Sequence, residues 1–102
     1  MLDQLSAADF APHVDTMFRI AFSDGQVELR LAEVQELPRA TAAPSREAAR
    51  TPFSLLFVHS GATFYLPQRI YTLEHAALGA VEIFVVPLGP DARGMRYQAI
   101  FT

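Results

Sequence analysis

The sequence predicts a mainly β protein, either a small antiparallel six-stranded barrel or a two-layer sandwich, with a short N-terminal helix. Apolar residues recur at every second position in several segments, as in strands that bury one face. Turns rich in Gly and Pro separate these segments at intervals of roughly 10–15 residues. The chain has 102 residues, is 51% hydrophobic and has a net charge of only −3, so residues 1–102 can bury a core as one domain.

A short helix is predicted near the N-terminus. Ser6 stands where an N-cap would, and Asp9 follows three positions later, where its carboxylate can reach the exposed N–H groups of the first turn. Pro12 comes too soon for a long helix, so we place the helix over residues 7–11. We expect Phe10 to pack on the core, with the helix covering one end of the sheet.

A β-hairpin is predicted next, with strands over residues 16–22 and 27–31 that each carry apolar residues at alternate positions. Asp24 and Gly25 form a dipeptide that favours tight hairpin turns, because both residues tolerate positive φ. Beyond the second strand the apolar positions shift by one and continue at Val34. This shift predicts a β-bulge.

Residues 38–51 are predicted to form a long polar loop. They contain no large apolar residue and three of the eight Arg. A loop of this length is above the usual range in a compact domain and is either mobile or functional. Arg46 and Arg50 are therefore candidate interaction residues.

Residues 52–59 are predicted to form a strand that is covered on both faces or lies at a sheet junction, and they are the best candidate for the middle of the core. From residue 55 to residue 58 every position is apolar, whereas a strand with one wet face would alternate. A turn over 60–63 and a short extended piece over 64–66 follow.

The longest continuous pattern of strand-forming residues lies in residues 71–87 and predicts two strands joined by a turn. The first strand covers 69–75 and the second covers 81–88. Gly79 is placed in the left-handed conformation at the turn. The second strand is expected to stop at Pro87 and the Gly-Pro pair after it, because proline cannot donate to a ladder.

The last predicted strand, residues 96–102, alternates apolar and polar residues. We expect it to lie at the margin of the sheet, where unpaired backbone groups can accept a strand from a partner. Tyr97 and Phe101 are therefore candidate interaction residues.

The composition disfavours several classes of function. The eight basic residues are all Arg, are spread along the chain and are outnumbered by eleven acidic residues, so no basic field for nucleic acid is expected. There is no Cys, which excludes disulfides, thiolate ligands and Cys nucleophiles. The sequence shows neither a signal peptide nor a long apolar stretch, and we predict a soluble, cytoplasmic protein that has no membrane partner and is exported only if it uses a signal-less route.

None of the histidines and carboxylates in the sequence forms a convincing catalytic or metal-binding motif. Glu74 and His75 are adjacent in a predicted strand, so they point to opposite faces and cannot act together on one substrate atom; we keep both as candidate interaction residues. His13 and Asp15 could share a face, but no third metal ligand is near. Ser60, next to His59, lacks the Gly-x-Ser-x-Gly elbow and the strand-turn-helix context of a serine hydrolase. We predict no enzyme, metal or cofactor, and a hydrolase or metal enzyme using His75 or His59 is the third choice.

Several motifs run through nearly the whole chain: Pro52-Phe-Ser-Leu-Leu-Phe, Leu66-Pro-Gln68, Tyr71-x-Leu-Glu-His75, Leu78-Gly79, Val86-Pro-Leu-Gly-Pro-Asp91 and Tyr97-x-Ala-Ile-Phe101. Together they resemble a family of small bacterial domains of unknown function. In that family the motif is commonly Leu-Glu-His-Pro. This chain has Ala76 in place of the proline, so a turn made rigid by proline is not expected here. The resemblance implies no activity. Relatives in the family tend to be encoded near phage-tail-collar-like proteins, and this position implies an assembly or accessory role.

We therefore predict a non-enzymatic interaction or assembly module that binds a protein partner or a second copy through a sheet edge, the 38–51 loop or the C-terminal strand. The alternative is a small-ligand-binding barrel with an aromatic pocket. Its lining would be Phe18, Phe22, Phe57, Tyr71 and Phe84. Phe64, Tyr65 and Tyr71 could also form an exposed patch, although packing within the domain is the commoner role of such residues.

Overall fold

A computed structural model shows a closed antiparallel barrel of six strands with one short α-helix, which confirms the predicted β fold and selects the barrel over the sandwich. The structure describes residues 5–23, 25–37, 52–62 and 64–101. Its elements are α1 (Ala7–Phe10), a 3-10 helix (Ala11–His13), β1 (Met17–Phe22), β2 (Gly25–Glu36), β3 (Phe53–His59), β4 (Arg69–His75), β5 (Gly79–Asp91) and β6 (Gly94–Phe101). The order around the barrel is β1-β2-β3-β6-β5-β4.

Helix α1 lies where the sequence predicts, although it ends at residue 10 and a 3-10 helix containing Pro12 follows. The Ser6 N–H donates to the Asp9 carboxylate at 2.7 Å, which is one half of a capping box. Phe10 is fully buried, and its ring centroid lies 5.8 Å from those of Phe53 and Phe101. The helix therefore covers one end of the barrel, as predicted.

Strands β1 and β2 form the predicted hairpin, in which Phe22 is paired with Gly25. Asp24, the other half of the predicted turn dipeptide, lies outside the described residues. The pairing of β2 with β3 shifts register between Leu31 and Glu33. This shift confirms the predicted bulge.

Strand β3 lies between β2 and β6 and is buried on both faces, as predicted. Leu55 and Phe57 point into the core, while Val58 on the opposite face is also fully buried. Val58 is paired with Arg30 on one side and Arg96 on the other. The hydrocarbon stems of two flanking arginines can cover a residue in this position.

The prediction that β5 stops at its prolines is wrong, because the strand continues through Pro87 and Pro90 to Asp91. Pairing with β4 ends at Val85, whereas pairing with β6 reaches Asp91 with a register shift between Pro87 and Gly89. Both prolines therefore lie where β5 has a neighbouring strand on one side only. A residue without an N–H is tolerated in such a position.

The prediction of a free edge on the C-terminal strand is also wrong. Residues 95–101 of β6 pair with β3, and residues 94–98 pair with β5. Residues 95–98 of β6 thus pair with a strand on each side, and residues 99–101 pair with β3. The core that it helps to enclose contains apolar residues from all six strands and from α1.

The barrel closes between β1 and β4, a junction that we call the β1–β4 seam (residues 19–22 and 71–74). Only one residue pair, Arg19 with Glu74, is aligned across the seam. Every other junction has at least five aligned pairs. Three residues further along the seam, the ring centroids of Phe22 and Tyr71 are 6.3 Å apart. An aromatic contact therefore also joins the two strands.

Candidate functional site

The residues predicted to mediate interactions are not brought together. Arg46 and Arg50, with the rest of the 38–51 loop, lie outside the described residues. Tyr97 is fully buried and Phe101 is 7% exposed, and both belong to the core. The buried Tyr97 hydroxyl accepts a hydrogen bond from the Leu66 N–H at 2.8 Å. Burial raises the pKa of Tyr97, while this hydrogen bond lowers it.

His75 is buried at the end of β4 and makes structural hydrogen bonds with both ring nitrogens. Its Nδ1 accepts from the N–H groups of Ala77 and Leu78 at 3.0 and 3.2 Å. Nε2 must then carry the proton and donate to Thr16 Oγ1, which is 2.8 Å away. The Thr16 hydroxyl in turn donates to the His13 carbonyl at 2.6 Å.

The surroundings of His75 keep its ring neutral. Burial lowers the pKa of His75, and the nearby His13 lowers it further. The ring centroids of His13 and Phe18 lie 4.6 and 4.4 Å from that of His75. His75 therefore joins the N-terminal segment to the turn between β4 and β5.

Glu74 points the other way, as the strand alternation predicts. Its Oε1 accepts a hydrogen bond from Arg19 Nη2 at 2.7 Å, across the outside of the β1–β4 seam. Both side chains are nearly half exposed, so solvent screens the ion pair. The hydrogen bond and the charge of Glu74, with a smaller contribution from Glu28, raise the pKa of Arg19.

A groove of about 490 Å³ lies beside this ion pair. Its lining consists of Met17, Arg19, Glu28, Glu74, His75, Ala76, Gly79 and Ala80. One guanidinium faces two carboxylates here, so the groove has a net negative charge. Among the described residues there is no group of three or more His, Cys, Asp or Glu side chains that could hold a metal ion, and Asp15 instead pairs with Arg30 at 2.9 Å.

Three large apolar side chains lie on the outer faces of the neighbouring strands β4, β5 and β6. Ile70 is paired with Phe84, and Ile100 lies on the next strand, β6, two residues beyond the last pair of β5 with β6, Val86 with Gln98. These three side chains, which we call the apolar row, are 63%, 48% and 55% exposed. Exposed apolar residues on monomeric proteins are usually scattered singly, whereas these three stand on neighbouring strands of the barrel.

A second, open cleft of about 340 Å³ lies at the end of the barrel opposite α1. It is lined by Tyr65, Pro87, Gly89, Pro90 and Met95. Tyr65 is 61% exposed, and the neighbouring Phe64 is 51% exposed. The Phe64 ring contacts His59, whose buried Nδ1 has no hydrogen-bond partner within the described chain.

The five aromatic residues predicted to line an interior pocket are placed differently from one another. Phe18 and Phe57 are fully buried and contact each other with ring centroids 5.3 Å apart. Tyr71 is also buried, Phe22 is 40% exposed at the barrel rim, and Phe84 points outward in the apolar row.

A family model described as a domain of unknown function matches residues 5–101. No curated protein and no solved structure is similar enough to match the chain. Within the described residues, none of the helices is long and apolar enough to span a bilayer.

Proposed function

The chain belongs to the DUF6916 family of domains of unknown function, and we propose that it is a non-enzymatic interaction module that binds another protein through the outer face of β4, β5 and β6. The apolar row is the observation that carries this proposal. Its three side chains are each about half exposed or more, and they stand on paired strands. A rigid surface of this kind loses little conformational entropy on binding.

The surroundings of the apolar row support the same conclusion. On one side of the row, Thr72 and Glu82 form the next outward pair, and both are exposed. On the other side lies Gln98, paired with the half-buried Val86. An apolar centre with polar residues around it is the usual anatomy of a protein–protein interface.

Photo-crosslinking from Glu82 tests this proposal. A photoreactive amino acid at this exposed position should crosslink a protein partner in cells of the source organism, because it stands two residues from Phe84 on the same face. Phe84→Ser should reduce the crosslinked product at least tenfold, since central aromatic residues dominate interface energetics. The same photoreactive residue at Ala92, in the exposed β5–β6 turn, is the matched control. Equal crosslinking from both positions, or an unchanged product in Phe84→Ser, would overturn the proposal.

An assembly role in the cytoplasm is part of this proposal. The motif resemblance motivates it, because relatives encoded near phage-tail-collar-like proteins imply an accessory role in a larger structure. The partner identified by crosslinking decides this point, since an assembly role requires a structural protein and not a metabolic enzyme.

The cleft at the barrel rim favours a second candidate function, the binding of a small apolar or aromatic ligand. Its volume of about 340 Å³ is within the range of ligand pockets, ~300–1,000 Å³. Tyr65 and the two prolines offer flat apolar surfaces for stacking. Native mass spectrometry of the purified protein should then show a bound ligand that Tyr65→Ala loses, and an unliganded mass for the unaltered protein speaks against this function.

A further inference from the structure

The groove beside the ion pair of Arg19 and Glu74 lies on the same face of the barrel as the apolar row. The outward pairs of β4 with β5, taken from the groove to the row, are Glu74 with Ala80, Thr72 with Glu82 and Ile70 with Phe84. Ala80 lines the groove, and Phe84 of the row stands four residues further along β5. At ~3.3 Å per residue the two lie ~13 Å apart, so one segment of a partner can cover both.

Carboxylates dominate the charge of this face. Glu28 on β2 is paired with Arg19 on β1, and Arg19 is paired with Glu74 on β4. Glu82 stands between the groove and the apolar row and is exposed. Three carboxylates therefore stand beside the one guanidinium of Arg19.

The other arginines that the structure describes do not neutralise these carboxylates. Arg30, two residues from Glu28 on β2, is paired with Asp15 at 2.9 Å, and this ion pair adds no net charge. Arg69 lies over the ring of Tyr71, 5.9 Å from its centroid. The last two, Arg93 and Arg96, contact Asp91 at the end of β5.

The groove suits both the stem and the head of a long cationic side chain. Met17 and Ala76 contribute apolar surface to its lining, along which the methylene groups of lysine or arginine can pack. Glu28 and Glu74 line the same groove. Arg19 takes one oxygen of Glu74, whereas Glu28 is exposed and forms no ion pair with another described residue. Carboxylate oxygens are therefore available to a cationic head, for which they are strong acceptors.

Charge complementarity decides between the possible occupants of this face. A second copy docked by the same face would bring the same three carboxylates to it, and the phosphates of a nucleic acid would be repelled by them. A protein segment with one basic and one apolar side chain complements both parts of the surface. In an extended segment these two side chains would be four residues apart, because alternate side chains point to the same side.

We propose that the groove binds a lysine or arginine side chain of the partner protein, while the apolar row binds an apolar side chain of the same segment. This inference rests on the proposed function, since it states the chemistry of the partner segment that covers the apolar row. Because the carboxylates are exposed, each ion pair should change the affinity only a few-fold, and the charges act mainly on the association rate and on the choice of partner.

A synthetic peptide of seven residues is the probe for this inference. It carries arginine at its second position and phenylalanine at its sixth in a background of threonine, and it is titrated into the whole chain while NMR follows the backbone amides. The signals of Ala80 and Phe84 should both shift, with a Kd on the order of 1 mM, because so short a segment covers little surface. The same peptide with glutamate in place of arginine should bind about fivefold more weakly at about 0.01 M salt. The difference should vanish at about 1 M salt, where the Debye length is only about 3 Å.

A charge reversal at Glu28 tests whether the groove is responsible. Glu28→Lys gives the groove two cations and one carboxylate, so this variant should prefer the glutamate peptide to the arginine peptide. Glu36→Lys is the matched control, because it changes the net charge equally but lies eight residues further along β2; it should keep the preference for arginine. Both positions are exposed, and the NMR spectra of the two variants show directly whether they are folded.

Three results would overturn the basic partner segment: equal affinity of the two peptides for the unaltered chain at low salt, an unchanged preference in Glu28→Lys, or no shift of Ala80 at about 10 mM peptide. The proposed function would survive any of them if the photoreactive residue at position 82 still captures a protein whose capture depends on Phe84. It would fail separately if Phe84→Ser captures that protein equally well.

Discussion

At the residue scale, His75 illustrates how a histidine in a conspicuous motif can have a structural task. Its Nδ1 accepts two backbone N–H groups and its Nε2 donates to Thr16. Protonation of Nδ1 would remove the acceptor and leave the N–H groups of Ala77 and Leu78 without a partner. The turn between β4 and β5 therefore depends on a neutral ring for these two hydrogen bonds.

The stability of the protein should therefore depend on pH in a specific window. Burial lowers the pKa of folded His75 below its ordinary value of 6.5, so the unfolded chain takes up a proton first as the pH falls. The stabilisation is complete above about pH 6.5, the pKa of an unperturbed histidine, and is lost as the pH falls from there through the lower pKa of the folded state. Urea unfolding at a series of pH values should show this decline. His75→Gln should flatten the decline, whereas His59→Gln should retain it; an unchanged slope in His75→Gln would contradict the assignment.

At the scale of elements, the predictable parts of the fold are those with local signals. The β1–β2 hairpin, the bulge after Leu31 and the β4–β5 hairpin follow from the parity of apolar residues and from turn residues close in sequence. The path of β5 through Pro87 and Pro90 does not follow from local signals. It depends on which residues of β5 have β4 beside them. The placement of β6 between β3 and β5 depends on pairing between strands distant in sequence, which alternation within one strand does not encode.

The candidate site was missed from the sequence for the same reason. Ile70, Phe84 and Ile100 each occupy an outward position of a strand, and an isolated exposed apolar residue needs no explanation. Only the alignment of three strands shows that they form one row. One local signal was present, since the successive apolar residues 83–86 put Phe84 on the solvent face of a strand whose other face is buried.

The turn between β5 and β6 yields a prediction about one glycine. Gly94 has a φ of 139°, and a Cβ on this residue would overlap the His59 carbonyl oxygen of β3. Gly94→Ala should lower the free energy of unfolding by about 1–3 kcal/mol from backbone strain, with a further loss from the overlap. Gly89→Ala is the matched control, because Gly89 also has positive φ, at 101°, but its Cβ would meet nothing within 4 Å. Equal losses in urea unfolding would show that the approach of β6 to β3 is looser than the structure indicates.

At the scale of the whole molecule, the β1–β4 seam is the junction with the least backbone pairing. It holds one aligned pair, whereas β3 and β6 share seven. Regions with few backbone hydrogen bonds and side-chain contacts open at lower free energy than the rest of a domain. We infer that the barrel opens first at this seam.

A disulfide across the seam should stabilise the protein. Arg19 and Glu74 are aligned antiparallel partners, whose Cα atoms are expected ~4.5–5.5 Å apart, within the range of a disulfide. The chain contains no Cys, so Arg19→Cys/Glu74→Cys can form one defined bond. The oxidised variant should gain ~2–4 kcal/mol in free energy of unfolding over its own reduced form. If oxidation adds nothing, Arg19 and Glu74 are not aligned closely enough for an unstrained bond.

The position of β6 has a consequence for how the chain folds during synthesis. Strand β3 pairs with β2 and with β6, and β6 follows the other five strands in the sequence. Until residues 94–101 leave the ribosome, β3 and β5 each present an exposed edge, and Phe53 and Phe10 lack the ring of Phe101 that packs beside them. Folding should therefore be late and concerted, and nascent chains halted before residue 94 should be the form most exposed to aggregation and to chaperones.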